Sequence, residues 1–509
     1  MKKRFSWEQW SLFYLAFPYF VFFAGWLKSW LAIPLMLLLL AMTTNVVRSY
    51  SSTGQWSWRA YFNTQRKFPW KVALIILILG VWVLLSGITG SIFHQNGDYI
   101  KHNAILHDLV TMPWPVGYYA DQTFTTPLYL VYYLAYYLPA TLVGKIFGLL
   151  AARWALFLWA WMGVILGMGY FCRLSKSWRW WLVPLFILFS GMDIWGQLFM
   201  KTIDLGGGTQ HIEWWTLARF WNYQSNTTLI FWTPQHAITG WILTGLFLKQ
   251  IDENKKVNQP SYNIFLLFLG SLWSPLVCVG IFPIFVMTVW QQGRKREYNW
   301  INLTTIPLLF IVFLFYYSNV LHHFSGWVWQ IYDVLAIWPK YFIFCLLEFG
   351  LLSYFIWPTV RRQNGQIFSH FILANIILAL IPFYIFGFYN DFSMKVSIPS
   401  LFIVQIVLAR FLLSDLSPIE GLVRRFVLLI LFFGAITPLS EISRGIHFYY
   451  WQSGYESIVT TEPEHVSQYL GNGESSFFRY LGRKAKPQVS VSQSTLNYLK
   501  VNAQENGQR

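Results

Sequence analysis

The sequence predicts an all-α protein that threads a membrane many times. Three observations predict it. Of 509 residues, 56% are hydrophobic, 20% aromatic and only 11% charged, against about 25% charged in a soluble globular chain. The apolar residues fall in runs long enough to cross a bilayer, roughly 17–25 residues each. Short basic clusters separate the runs, as the bias of lysine and arginine toward cytoplasmic loops produces. A formal net charge of +16 invites a nucleic-acid reading. The cations are scattered among loops rather than gathered in one patch, so nucleic acid is excluded as a partner. The bilayer is the first partner expected.

About thirteen crossings are expected, in order. Spans 1 and 2, near 11–26 and 30–46, form a hairpin between the basic start (Lys2, Lys3, Arg4) and a basic loop carrying Arg59, Arg66 and Lys67. No small-residue cleavage pattern follows the first span, so it is expected to be retained. Span 3, near 72–90, leads to the other face and to the polar loop 91–126. The run 127–149 carries Tyr129, Tyr132, Tyr133, Tyr136 and Tyr137, then Pro139, Gly144 and Lys145. This suits a juxtamembrane or re-entrant helix better than a span. Span 4 (151–171) ends at the basic RLSKSWR. Spans 5 (180–197) and 6 (236–249) bracket a long outer loop. Spans 7 and 8 (262–291) break at Trp273-Ser274-Pro275. Spans 9 to 13 lie near 303–320, 339–357, 367–387, 399–413 and 426–440. An inner N-terminus then puts the polar tail 441–509 outside. Residues 1–440 form the transmembrane domain, with its catalytic loop at 91–126.

Polar chemistry collects on the predicted outer side. Loop 91–126 holds Asp98, Lys101, His102, His107, Asp108 and Asp121. Loop 198–235 holds Asp204, His211, Glu213 and Arg219, and ends at Gln235 and His236. Loop 389–397 holds Asn390, Asp391 and Lys395. Helical spacing puts Asp98, Lys101 and His102 on one face. The alternative for Asp98 and Lys101 is a surface ion pair and for Lys395 a snorkelling interfacial lysine; Asp108, further along the same helix, is expected to be structural. Ionisable groups held against a bilayer are expensive and rarely idle. Transfer of a glycosyl group to a hydroxyl needs a carboxylate to take the proton and cations to hold the departing phosphate. Motifs of other chemistries are missing. There is no phosphate-binding glycine loop, HExxH, GxSxG or CxxC. The three cysteines (Cys172, Cys278, Cys345) sit in or beside apolar segments without metal spacing, and Gly206-Gly207-Gly208 alone is weak.

The layout of residues 72–200 resembles the N-terminal half of the GT-C superfamily of integral-membrane glycosyltransferases. An outward span leads to a first outer loop with an acid. Then come Thr126-Pro127-Leu128-Tyr129, an interfacial helix, Phe147-Gly148, Arg153, a long span and a basic turn. The hairpin 11–46 is an addition to that pattern. The resemblance implies a polyprenyl-phosphate-linked sugar donor, a glycan, lipid or protein acceptor on the outer face, and Asp98 as catalytic base, assisted by His102. Substrate contacts are expected from Lys101, Arg153, Glu213, Gln235, His236, Asp391 and Lys395. Asp193 or the acids at 204–213 would supply a second acid. Some members use a divalent metal, which leaves the cofactor open. Two other readings stand beside this one: a transporter or flippase of a lipid-linked saccharide, which needs ionisable residues deep in several spans, and an envelope polysaccharide ligase or polymerase.

Overall fold

A computed structural model describes residues 6–51, 70–119, 127–200, 212–213, 215, 221–252, 260–319, 325–331, 333–362, 366–387, 390–414, 418–447, 456–460, 467–492 and 494. The chain is predominantly helical with a few short strands. Asp121, Asp204, His211, Arg219, Gly206–Gly208 and the basic residues Arg59, Arg66 and Lys67 lie outside the described residues.

Among the described residues, seven helices are long and apolar enough to cross a membrane, with three shorter apolar ones beside them. The predicted number of thirteen is thus met only in coarser form. Proline, glycine and aromatic content explain where predicted spans come apart. Span 5 is two short helices, Leu182–Ile187 and Asp193–Met200, parted around Ser190-Gly191. Spans 7 and 8 are Asn263–Ser271 and Pro275–Gln292. At that break, Ser274 caps the second helix by accepting from the Val277 N–H at 3.2 Å. The tyrosine-rich run 127–149 is no single helix. It holds strand β2 (Leu128–Leu130) and a helix of ten residues, Leu138–Phe147.

The long helices define two ends. Helix α1 (Trp7–Trp26) starts at one end, where Glu8 accepts from Arg173, the last-turn cation of α6 (Leu149–Leu174), and from Lys249 near the end of α10 (Pro234–Asp252). At about 1.5 Å per residue, the 26 residues of α6 span about 39 Å, more than a hydrocarbon core of about 30 Å. The far end gathers α4 (Asp98–Thr111), the N-terminus of α10, the turn after α1, and a small mixed sheet.

That sheet has the order β5-β2-β1-β6. Strand β1 (Gly117–Tyr119) pairs antiparallel with β2 and parallel with β6 (Val489–Ser490). Strand β2 pairs antiparallel with β5 (Leu470–Asn472), Tyr129 facing Gly471. The C-terminal segment therefore supplies both outer strands of a sheet whose centre is the loop after α4. The turn after α1 grips the same segment: Lys28 N donates to Leu481 O at 2.9 Å, Arg483 N to Trp26 O at 2.7 Å, and Arg483 Nε to Leu27 O at 2.7 Å. The N-terminal hairpin thus has a structural task, holding the C-terminal segment over α4.

Candidate active site

Helix α4 opens with Asp98 in its first turn, where a carboxylate suits the positive end of the helix dipole. One turn on, Lys101 Nζ donates to Asp98 Oδ2 at 2.7 Å, and the two side chains are 21% and 27% exposed. Asp98 Oδ1 accepts no hydrogen bond among the described residues. Burial pushes the Asp98 carboxyl up, but Lys101, His102 and Lys395 outweigh it and hold the group below its usual value. It is a carboxylate at neutral pH.

His102 is buried and fully engaged. Its Nε2 lies 2.9 Å from the Trp232 carbonyl, which only accepts, so Nε2 carries the proton. Its Nδ1 then accepts from the Tyr137 hydroxyl. Burial and the Lys101 cation push the imidazole down to about 4, against the opposing pull of Asp98 and the Trp232 carbonyl. His102 is neutral and fixed, and it ties α4 to the loop before α10.

Residues from segments distant in sequence converge on this helix. Helix α17 (Asp391–Val396) begins at Asn390, whose left-handed backbone (φ 54°) aims its side chain at the Ser393 N–H. One turn separates Asp391 from Lys395, and Lys395 Nζ donates to Asp391 Oδ1 at 2.7 Å. Lys395 is 5% exposed, stands 5.3 Å over the Tyr133 ring, and is close enough to act electrostatically on Asp98. His236 packs edge-on against the same Tyr133 ring at 4.6 Å. Its Nδ1 is 2.6 Å from Ser274 Oγ, while its buried Nε2 has no hydrogen-bond partner among the described residues. Gln235 Nε2 reaches the Tyr132 hydroxyl at 3.5 Å. Asp98, Lys101, His102, Gln235, His236, Asp391 and Lys395 are thereby brought to one place, two lysines and two carboxylates, each lysine paired with the acid on its own helix.

Two expected substrate contacts are placed elsewhere. Arg153, 2% exposed, lies against Gly90 and Gln95 near the start of α6. At Gly90 (φ 66°) a Cβ would meet the Arg153 guanidinium at 2.1 Å, so the glycine makes room for it. Glu213 joins a separate buried group of acids with Asp193, Glu348 and Glu441. Its Oε1 accepts from Ser225 N and Thr228 Oγ1, both at 2.7 Å. Burial, with Asp193 and Glu441 nearby, pushes its carboxyl well up. Trp215 Nε1 donates to Glu348 Oε1 at 2.9 Å, and Ser190 and Thr437 hydroxyls donate to Asp193 Oδ2 at 2.9 and 3.0 Å. Glu348 sits in a π-turn, Leu346–Gly350, a distortion that often marks functional positions. Among the described residues, no group of three or more His, Cys, Asp or Glu is arranged to hold a metal ion.

Asp108, ten residues after Asp98, is wholly buried and saturated. Tyr118 OH, Ser457 Oγ and Ile458 N donate to its Oδ2, each at 2.9 Å, and His107 Nδ1 lies 3.0 Å from its Oδ1. Sequence reasoning did not anticipate Tyr132, Tyr133 and Tyr469 at the site. The only signal was a crowd of tyrosines in a run otherwise fit for lipid. A cavity of about 220 Å³ lies at the other end of α10, lined by Gln250, Gln292 and Arg296 among others. It is about 21 Å of helix rise from His236 and away from this cluster. No protein-family model matches the chain, and neither do the curated proteins or the solved structures with which it was compared.

Proposed function

We propose that the chain is a GT-C-type membrane glycosyltransferase that moves a sugar from a polyprenyl-phosphate-linked donor to an acceptor hydroxyl on the extracytoplasmic face. The observation that carries this reading is the meeting of Asp98, with its open Oδ1, and two lysines from helices nearly 300 residues apart. The acceptor oxygen attacks the anomeric carbon and its proton passes to Asp98. The bond from that carbon to the phosphate oxygen breaks, and Lys101 and Lys395 hold the charge left on the phosphate. His102 keeps Asp98 and Lys101 in position. Thirteen crossings with an inner N-terminus fit the two ends of the bundle. Every segment expected outside that touches this cluster lies at one end, and the Glu8 pairings with Arg173 and Lys249 lie at the other.

The test is Asp98→Asn in membranes supplied with radiolabelled polyprenyl-phosphate hexoses or pentoses. Loss of a general base lowers transfer by about 100-fold or more, with the protein's level in the membrane unchanged. Undiminished transfer would remove Asp98 as the base. One observation favours a second reading, a transporter of lipid-linked saccharide: the four buried acids Asp193, Glu213, Glu348 and Glu441. Movement of a fluorescent lipid-linked saccharide across proteoliposomes driven by a pH gradient, and lost in Glu348→Gln, would select it.

A further inference from the structure

The C-terminal segment does more than cover the site. Strand pairing of β5 with β2 places Tyr469, one residue before β5, against Tyr132, one residue beyond the Val131 that follows β2. Val131 N donates to Tyr469 O at 2.9 Å, and the two phenol rings meet edge to face at 5.0 Å. Both side chains are buried, at 4% and 8% exposure. Both hydroxyls lie within electrostatic reach of Lys101, and that of Tyr132 also of Lys395. Each phenol oxygen already accepts from an amide: Tyr469 from Gln468 Nε2 at 2.9 Å, Tyr132 from Gln235 Nε2 at 3.5 Å. Neither phenol hydrogen has an acceptor among the described residues. A buried O–H donor with nothing to receive it is costly. Here two such donors stand among the two ammonium groups and the carboxylates of Asp98 and Asp391 that pair with them. Ammonium groups and O–H donors together suit a phosphate monoester or diester, whose oxygens only accept.

Resting on the donor reading above, we propose that Tyr132 and Tyr469 donate their phenol hydrogens to the phosphate of the lipid-linked donor. The C-terminal segment thereby completes the binding site. Tyr469 belongs to the site because strand register brings it there, although more than 330 residues separate it from Asp98, Lys101 and Tyr132.

The test uses the full-length protein in detergent with two probes, farnesyl phosphate and farnesol, which share a prenyl chain and differ in the phosphate. The wild type binds the phosphate more tightly than the alcohol. Tyr469→Phe keeps the ring and its packing, weakens farnesyl phosphate about ten-fold and leaves farnesol unchanged. Tyr132→Phe does the same. A general loosening of the fold would weaken both probes alike, so the ratio of the two affinities isolates the hydroxyl. If the wild type prefers the phosphate and Lys395→Gln loses that preference, while both Tyr→Phe variants match the wild type, the tyrosine assignment is overturned and the donor reading survives. If the wild type shows no preference for the phosphate, the donor reading falls and this inference with it.

Discussion

Asp108→Ala should release the C-terminal segment from α4 without unfolding the bundle. Three donors converge on Asp108 Oδ2 at 2.9 Å, and two of them, Ser457 Oγ and Ile458 N, belong to the C-terminal segment. All the partners are buried, with Ser457 at 7% and Ile458 at 0% exposure. A hydrogen bond to a charged group contributes about 1.5–3 kcal/mol. Taking the low end for the two segment contacts gives about 3 kcal/mol. The methyl side chain left behind offers no acceptor, so relaxation and entering water recover only part of this. At about 1.4 kcal/mol per factor of ten, the open form of the segment becomes about 100-fold more populated. Hydrogen exchange read by mass spectrometry reports that population directly when closing is fast. Amides of 457–460 and 467–472 should lose about 100-fold in protection in the variant. Those of α6 should hold theirs, because α6 packs against α10 and α5 (Leu138–Phe147) rather than against the sheet. Asp108→Asn, which keeps one acceptor oxygen, should fall between. Unchanged protection at 457–472, or an equal loss throughout α6, would refute the view of Asp108 as the latch.

Three further outcomes follow from the same geometry. The unfolded His102 imidazole titrates at about 6.5 and the folded one at about 4, so between those values the unfolded chain binds more protons. Stability therefore falls as pH drops from neutral toward 4, by at most about 3 kcal/mol from this residue; thermal unfolding in detergent at pH 7 and pH 5 should show a slope that His102→Gln flattens. Glu213 runs the opposite way. Its folded carboxyl titrates above its unfolded value, so its share of stability is full below about 4.5 and is lost as pH rises, and Glu213→Gln should gain on the wild type at pH 8 but not at pH 4 in the same assay. Arg483→Ala removes the Nε contact to Leu27 O while keeping the backbone bond to Trp26 O, so exchange at 481–483 should quicken by about five-fold, with 457–460 unaffected.

Much of the site was legible in the sequence because charge is scarce here. In a chain with 11% charged residues, an acid, a lysine and a histidine at helical spacing stand out, and the structure does put them on one helix with Lys395 and His236 beside it. Arg153 and Glu213 looked equally eligible by residue type and side of the membrane. Nothing in local spacing could show that Gly90 leaves a slot for Arg153, or that Glu213 turns toward Ser225 and Thr228. The helix count was less legible than the helices themselves. Hydropathy sees Leu182–Met200 as one run, while Ser190-Gly191 and the close approach of Glu348 to Gly191 part it into two short helices. The sheet was invisible, since its strands are two or three residues long and the outer two pair with the central two across 340 or more positions.

Asp98 and Asp108 show how environment, not residue type, separates the acid proposed to react from a structural one. They lie on one helix, ten residues apart, which is nearly three turns. Asp108 accepts three hydrogen bonds on one oxygen and faces His107 with the other. Its lone pairs are committed to holding β1 and the C-terminal segment, and taking a proton would break those bonds. Asp98 has one oxygen held by Lys101 and one open, and its side chain is 27% exposed. Lys101 keeps it ionised and fixes its orientation, which is what a proton acceptor needs before the acceptor hydroxyl arrives. In the proposed transfer, the lysine's second task begins only when a phosphate enters. Its three donors then divide between carboxylate and phosphate, so the pairing seen here is compatible with both roles at once. Exchanging the two carboxylates' surroundings would exchange their tasks; exchanging only the residues for asparagine should not. Asp98→Asn is expected to lose chemistry and keep the protected C-terminal segment, and Asp108→Asn to weaken the segment before it touches the chemistry.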